Sequence, residues 1–134
     1  MIAVDTSALA AIAFDEPERD AYITRILAAR RCLLSAATFV ETRIVIRSRC
    51  SEQAYYFIEE LLRSSSFEIV AVDAAIAEVA ARAYASFGKG SGHPAQLNFG
   101  DVFSYALAKT RNVPLLFKGN DFSLTDVQTC LMSS

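Results

Sequence analysis

Histidine occurs once in the 134 residues, as His93 in a Gly-Ser-Gly-His-Pro stretch that reads as a surface loop. Acid–base chemistry built on paired imidazoles therefore lacks its second group. The three cysteines, Cys32, Cys50 and Cys130, are odd in number and far apart. They offer no C-x-x-C spacing for zinc or redox work and read as reduced thiols. Five glycines and three prolines are too few for a linker-rich or disordered chain. No apolar run is long enough to span a bilayer. The opening Met-Ile-Ala-Val-Asp lacks the basic head and apolar stretch of a secretory signal, so a soluble, cytoplasmic protein without membrane contact is expected. Positive charge is not in excess either: the formal net charge is -2 and the isoelectric point is near 5.4. That excludes a protein that coats nucleic acid by bulk electrostatics, which needs concentrated Lys and Arg. Any nucleic acid must be held locally. The densest basic stretch is Arg43, Arg47 and Arg49, with Arg30 and Arg31 upstream and Lys109, Arg111 and Lys118 late in the chain.

What is present suffices for one buried core. Hydrophobic residues make up 53% of the chain, and no repeat or composition shift marks a boundary, so a single domain over residues 1–134 is expected. Ile2, Ala3 and Val4 form a short apolar run ending at Asp5, after which Thr6 and Ser7 can cap a helix. Asp15, Glu16, Pro17 and Glu18 open a second helix, continued by Tyr22, Ile23, Ile26 and Leu27 at helical spacing. Cys32, Leu33, Leu34 and Ser35 make a second apolar run. Thr38 to Glu41 then has the form of a capping box, and residues 42–49, though rich in β-branched side chains, are read as helix. Ala54, Phe57, Ile58, Leu61 and Leu62 recur as an amphipathic helix requires. Residues 67–72 read as a third strand, followed by a helix capped by Asp73 with Ile76, Val79, Ala80, Ala83, Tyr84 and Phe87 as its buried stripe. Residues 88–97 hold three of the five glycines and Pro94, a loop. Asn98 caps a helix through Asp101 to about Arg111. Leu115, Leu116 and Phe117 are a fourth apolar run, Gly119 and Asn120 a turn, and residues 127–131 a last strand. Short apolar runs alternating with amphipathic helices are what a parallel sheet covered on both faces demands. The expected fold is a three-layer α/β/α sandwich.

Most of the fifteen acids belong to helix starts or polar faces, including Glu59 and Glu78. Four need a further explanation. Asp5 ends the first strand, Glu41 opens the helix after the second, Asp101 opens the helix before the fourth, and Asp121 follows the fourth strand's turn. With right-handed crossovers, strand ends and the starts of following helices share the edge where open α/β sheets bind ligands. Two carboxylates about 4 Å apart at an effective dielectric near 20 repel by roughly 4 kcal/mol, so a cluster of them calls for a cation. Oxygen ligands without histidine or thiolate suit magnesium or manganese. Plain roles are open to each acid: Glu41 behind Thr38 and Asp101 behind Asn98 fit capping boxes, and Asp5 and Asp121 fit turns.

Three stretches carry a resemblance: Val4-Asp5-Thr6-Ser7-Ala8-Leu9; Leu97-Asn98-Phe99-Gly100-Asp101 leading into Ser104-Tyr105-Ala106-Leu107-Ala108; and Pro114-Leu115-Leu116-Phe117-Lys118-Gly119-Asn120-Asp121-Phe122 running to Thr125-Asp126. Together with Glu41 and the Gly88-Lys89-Gly90 loop, they make the chain resemble the VapC family of PIN-domain toxins over nearly its whole length. The resemblance implies a PIN-like fold and a magnesium- or manganese-dependent ribonuclease that cuts single-stranded regions of tRNA or rRNA. It implies Asp5, Glu41 and Asp101 as core acids and Thr6 and Asn98 as polar neighbours orienting ligands or substrate. Asp121 matches a fourth acid, with Asp126 as its competitor, because many relatives carry an acid at the place of Gly119 or Asn120. It also implies a homodimer held inactive by a cognate VapB antitoxin. Arg43 and Arg47, one turn apart on the helix bearing Glu41, are the expected phosphate contacts.

Other motifs are set aside. Gly88-Lys89-Gly90-Ser91 lacks the G-x-x-x-x-G-K-[ST] spacing of a phosphate loop, and Ser7, Ser35 and Ser104 have no His-Asp pair to activate them. Two competing readings stand beside the nuclease. A phospho-accepting receiver domain would use Asp73 and Lys118 but lacks paired acids after the first strand. A catalytically silent PIN-like module would bind RNA or protein without cutting.

Overall fold

Ile2, Ala3 and Val4 are apolar and buried on both sides, so they adopt the extended backbone of a central strand, β1 (Ile2–Val4). A computed structural model describes residues 1–130. After β1 come α1 (Thr6–Ala13), α2 (Arg19–Ala28), β2 (Cys32–Ser35), α3 (Ala36–Arg49), α4 (Glu52–Arg63), β3 (Phe67–Val70), α5 (Ala74–Phe87), α6 (Asp101–Arg111) and β4 (Leu115–Leu116). Four helices start on a side chain that accepts a backbone N–H: Asp5 from Ser7, Ser35 from Ala37, Ser51 from Ala54 and Asp73 from Ile76.

The sheet order is β3-β2-β1-β4, every neighbouring pair parallel. Residues alternate between its faces with period 2. Ala3, Leu33 and Leu115 pack with Ile76, Ala80 and Ala83 of α5 and Ala106 and Leu107 of α6. Ile2, Val4, Cys32, Leu34 and Leu116 pack against α1, Ile26 of α2, Ile46 of α3, and Ile58 and Leu62 of α4. The three-layer sandwich is therefore as expected. The chain moves outward from β1 through β2 to β3, then returns to lay β4 on the other side of β1. Strand order thus reverses between β1 and β4, and a crevice opens at their carboxyl ends. Among the described residues no helix is long and apolar enough to cross a membrane.

Asp5 rather than Thr6 or Ser7 caps α1, α2 starts only at Arg19 without a side-chain cap, and β3 ends at Val70; five further expectations need correction. Helix α3 begins at Ala36 rather than at a Thr38 capping box, because Ser35 caps it. Thr38, Thr42 and Ile46 instead form its buried stripe, the i, i+4, i+8 series that lets β-branched residues sit in a helix. Glu59 does not belong to a polar face: it is buried, and its carboxylate meets Arg43 Nε at 2.8 Å and Arg63 at 3.6 Å. On α4, Phe57 is exposed although it falls on the apolar spacing. Tyr84 likewise is 40% exposed, because α5 buries only Ile76, Ala80 and Ala83 and the Tyr84 ring lies over Gly88 instead. The last strand shrinks to a single parallel bridge between Leu115 and Thr129, and Leu131 lies outside the described residues. In β4, Pro114 and Leu116 direct their carbonyls to β1, which leaves only Leu115 to bond outward, to Gln128 and Cys130.

Candidate active site

The crevice between β1 and β4 is lined first by Asp5. Its position one residue beyond β1 makes it both strand end and helix cap, and it is only 3% exposed. Oδ2 accepts the Ser7 backbone N–H at 3.0 Å, and Oδ1 accepts the Ser104 hydroxyl at 2.5 Å. Ser104 lies one turn after Asp101 on α6, so one helix face carries an acid and the hydroxyl that holds another acid. Thr38 joins this chain, its Oγ1 lying 3.2 Å from the Ser104 Oγ.

Glu41 reaches the crevice from the second turn of α3. Thr6 Oγ1 donates to its Oε1 at 2.7 Å and sits 3.1 Å from the hydroxyl of the fully buried Thr42. Thr6 therefore acts on Glu41 rather than standing open to a substrate. Gly100 makes the approach possible: a Cβ there would collide with the Glu41 carboxylate. Burial raises the proton affinity of Glu41, the Thr6 bond opposes this, and Asp5 adds to it.

Asp101 begins α6. Its backbone N–H donates to Asn98 Oδ1 and its Oδ2 accepts the Asn98 N–H, both at 2.9 Å. The capping box read from the sequence is real, and among the described residues it leaves Oδ1 of Asp101 without a hydrogen-bond partner. Desolvation pushes the carboxyl up to about 6 against the Asn98 bond, with further upward contributions from Asp5, Glu41 and Asp121. Acids separated by up to 116 residues in sequence thus act on one carboxyl. Asp121 is exposed at the head of the turn formed by Phe122–Leu124, after Gly119 takes a left-handed φ of 100°. Asp126 is elsewhere engaged: Tyr105 donates to it at 2.5 Å and Lys109 at 3.1 Å. The acid beside the cluster is Asp121.

None of Asp5, Glu41, Asp101 and Asp121 is in a salt bridge among the described residues. The cation nearest to Asp121 in sequence, Lys118, is drawn away to Glu16 at 3.1 Å and Glu18 at 3.4 Å, while its backbone N–H donates to Ser7 Oγ and pins the β4 loop to α1. Among the described residues no three His, Cys, Asp or Glu side chains already stand as a closed set that could hold a metal ion. Carboxylates that repel one another stand apart, and magnesium commonly completes its shell with water and substrate phosphate. A donor set made wholly of carboxylate oxygens fits such a hard cation.

The structure does not bring Arg43 and Arg47 to the acids. Arg43 lies two residues from Glu41, nearly opposite on the helix, where it binds Glu59 and lies 5.2 Å from the Phe39 ring centre. Arg47 lies over the Tyr55 ring at 4.7 Å. Asp73, the receiver-like acid, caps α5. Sequence reading gave Ser7, Thr38, Thr42, Ser104 and Gly100 no part in positioning the acids. For Ser104 the signals available were its i, i+3 spacing from Asp101 and its place in the stretch from Leu97 to Ala108.

A PIN domain family match spans residues 2–128. Ribonuclease VapC28 of Mycobacterium tuberculosis is 47% identical over 128 residues, 96% of each chain. Ribonuclease VapC of Mycolicibacterium smegmatis is 47% identical over 124 residues, 92% of this chain and 95% of the relative. In structure, Mycobacterium tuberculosis VapC20, a sarcin-ricin loop cleaving toxin, is similar with a TM-score of 0.77 at 19% identity, over 95% of this chain and 96% of that one. VapBC2 of Rickettsia felis, bound to a DNA fragment from their promoter, is similar with a TM-score of 0.74 at 14% identity over 96% of each chain.

Proposed function

The chain belongs to the PIN-domain family, among its VapC ribonucleases, and from that premise we propose that it is a magnesium-dependent endoribonuclease acting on single-stranded regions of tRNA or rRNA, the toxin of a toxin-antitoxin pair. Manganese is the expected substitute ion. The observation that carries the reading is the cluster of four carboxylates at the sheet's switch point, with no cation paired to any of them among the described residues.

Asp5 and Asp101 are the residues to hold the ion, with Glu41 and Asp121 completing the pocket. A divalent ion bound there supplies Lewis-acid stabilisation of the phosphodiester and a more acidic water. The chain's own contribution is orientation and proton transfer. Ser104 and Ser7 fix the Asp5 carboxylate, and the Asn98 exchange fixes Asp101. Glu41, whose proton affinity burial raises and whose Oε1 is held by Thr6, is placed to accept a proton from the attacking water at its other oxygen. Helix α6, of eleven residues, directs its N-terminal end toward the cluster and favours negative charge there.

The test is cleavage of labelled single-stranded RNA by protein stripped with EDTA and then resupplied with magnesium or manganese. Activity is expected only with added ion. Asp5→Asn and Asp101→Asn are each expected to lower the rate by on the order of 100-fold or more while folding normally. Unchanged cleavage by either folded variant removes the mechanism. Saturable RNA binding without cleavage by the metal-loaded wild type would instead support the silent module. The regulatory half of the proposal, a homodimer restrained by a VapB-type antitoxin, is tested through the neighbouring reading frame: co-expression of a short DNA-binding protein encoded there is expected to relieve toxicity and co-purify with the chain.

A further inference from the structure

Beside the acidic pocket lies an apolar groove of about 280 Å3 between α3 and the start of α6, with Glu41 and Gly100 common to both. Val40 and Ile44 form one wall, Phe99 and Phe103 the other. Three of these side chains are uncovered: Val40 is 54%, Ile44 63% and Phe99 74% exposed. Phe99 meets Phe103 edge to face, ring centres 5.0 Å apart at 81°, which steadies the ring and leaves most of its surface open. No Lys or Arg lines the groove, so it is no seat for phosphate.

We propose that this groove seats one unpaired nucleobase of the substrate strand, stacked on Phe99 and bounded by Val40 and Ile44. The inference rests on the ribonuclease reading above and names a base subsite for it. Continuity is the first reason: Glu41 belongs to both cavities, so a base in the groove neighbours the phosphate held at the carboxylates. Charge is the second: with no Lys or Arg in its lining, the groove suits the uncharged face of a base and not a phosphate. Extent is the third. A second copy of the chain needs a face of about 800 Å2, whereas the exposed apolar side chains of this groove are only Val40, Ile44 and Phe99. Bases paired in a duplex present no free face, whereas splayed bases stack on aromatic side chains. The groove thereby selects single strands.

The chain has no tryptophan, so a Phe99→Trp variant carries a single indole as reporter. Mixed with a single-stranded RNA of mixed sequence in magnesium, and followed by stopped flow ahead of cleavage, its emission is expected to fall. An abasic ribose-phosphate oligomer of the same length should leave it unchanged. Phe99→Ala and Phe99→Leu should each lower kcat/KM for RNA cleavage by about tenfold, and Phe99→Trp should not. Absence of quenching, or a Phe99→Leu variant as active as wild type, overturns the proposal. So does a Phe99→Ala variant that sediments as a smaller species than wild type, which would give the groove to a second copy. Quenching without any metal-supported cleavage by the wild type would retire the ribonuclease reading and leave the base seat supported.

Discussion

Asp5 is bound on both oxygens, yet the Ser7 amide and the Ser104 hydroxyl are neutral donors that orient its charge without cancelling it. Ser104 also meets Thr38 in the same buried chain. Replacing Ser104 with Ala leaves an acceptor of Asp5 and the Thr38 hydroxyl without a partner, at an expected cost of about 1–3 kcal/mol in denaturant unfolding. Loss of that positioning is expected to slow cleavage about 10- to 100-fold. Asp101 makes the pocket's electrostatics measurable. Its carboxyl titrates near 6 in the fold and near 3.9 in an unfolded chain. Between those values the folded, metal-free protein keeps a proton that the unfolded chain has released, so stability falls as pH rises from about 4 to about 6 and is level in this respect above. Glu41 shifts in the same direction, and Asp5 and Asp121 face the same carboxyl. Thermal unfolding in EDTA should show this decline, and Asp101→Asn should flatten most of it. Added magnesium should raise the melting temperature more at pH 7 than at pH 5, because ion and proton compete for the same oxygens.

Helix starts were legible where a capping side chain precedes a periodic run: Asp73 before α5 is read correctly from a few residues of context. Helix α3 misleads by the same rule. Thr38 and Glu41 have capping-box spacing, but Ser35 competes for the cap, and burying Thr38 against Ser104 favours the earlier start. What α3 and α6 do together depends on Gly100. Its backbone φ is ordinary, so its value lies in the space it leaves for the Glu41 carboxylate. Gly100→Ala is expected to push Glu41 out of place and lower cleavage at least about tenfold. Circular dichroism should stay unchanged, a result that would separate a displaced carboxylate from a broken helix. The sheet edge shows the converse limit. Residues 127–131 have strand composition, yet β4 offers them one outward-facing residue and pairing stops at a bridge.

For the molecule taken together, a net charge of -2 means that the RNA of the proposed function would have to be gripped by a few local cations. Arg43 and Arg47 share a helix face but not a fate. Arg43 is committed to the buried Glu59, whereas Arg47 has only the Tyr55 ring among the described residues. Charge reversal at Arg47 is expected to reduce the slope of log affinity against log salt by about one. Reversal at Arg43 should chiefly lower the melting temperature, by setting two carboxylates against each other. Binding isotherms across a salt series, paired with thermal melts, distinguish the two.

Alternating apolar runs and caps specified the four strands, the order of helices and hence a parallel sheet with a ligand-binding edge, since each of these follows from forces acting within a dozen residues. Spacing also brought Asp5, Glu41 and Asp101 into view. The engagement of Asp126 by Tyr105 and Lys109, the capture of Arg43 by Glu59, and the hold of Thr6 on Glu41 and Ser104 on Asp5 had no such local origin. Those pairings join residues 16 to 99 positions apart. Their distances exist only once the return of β4 beside β1 has set the helices against one another.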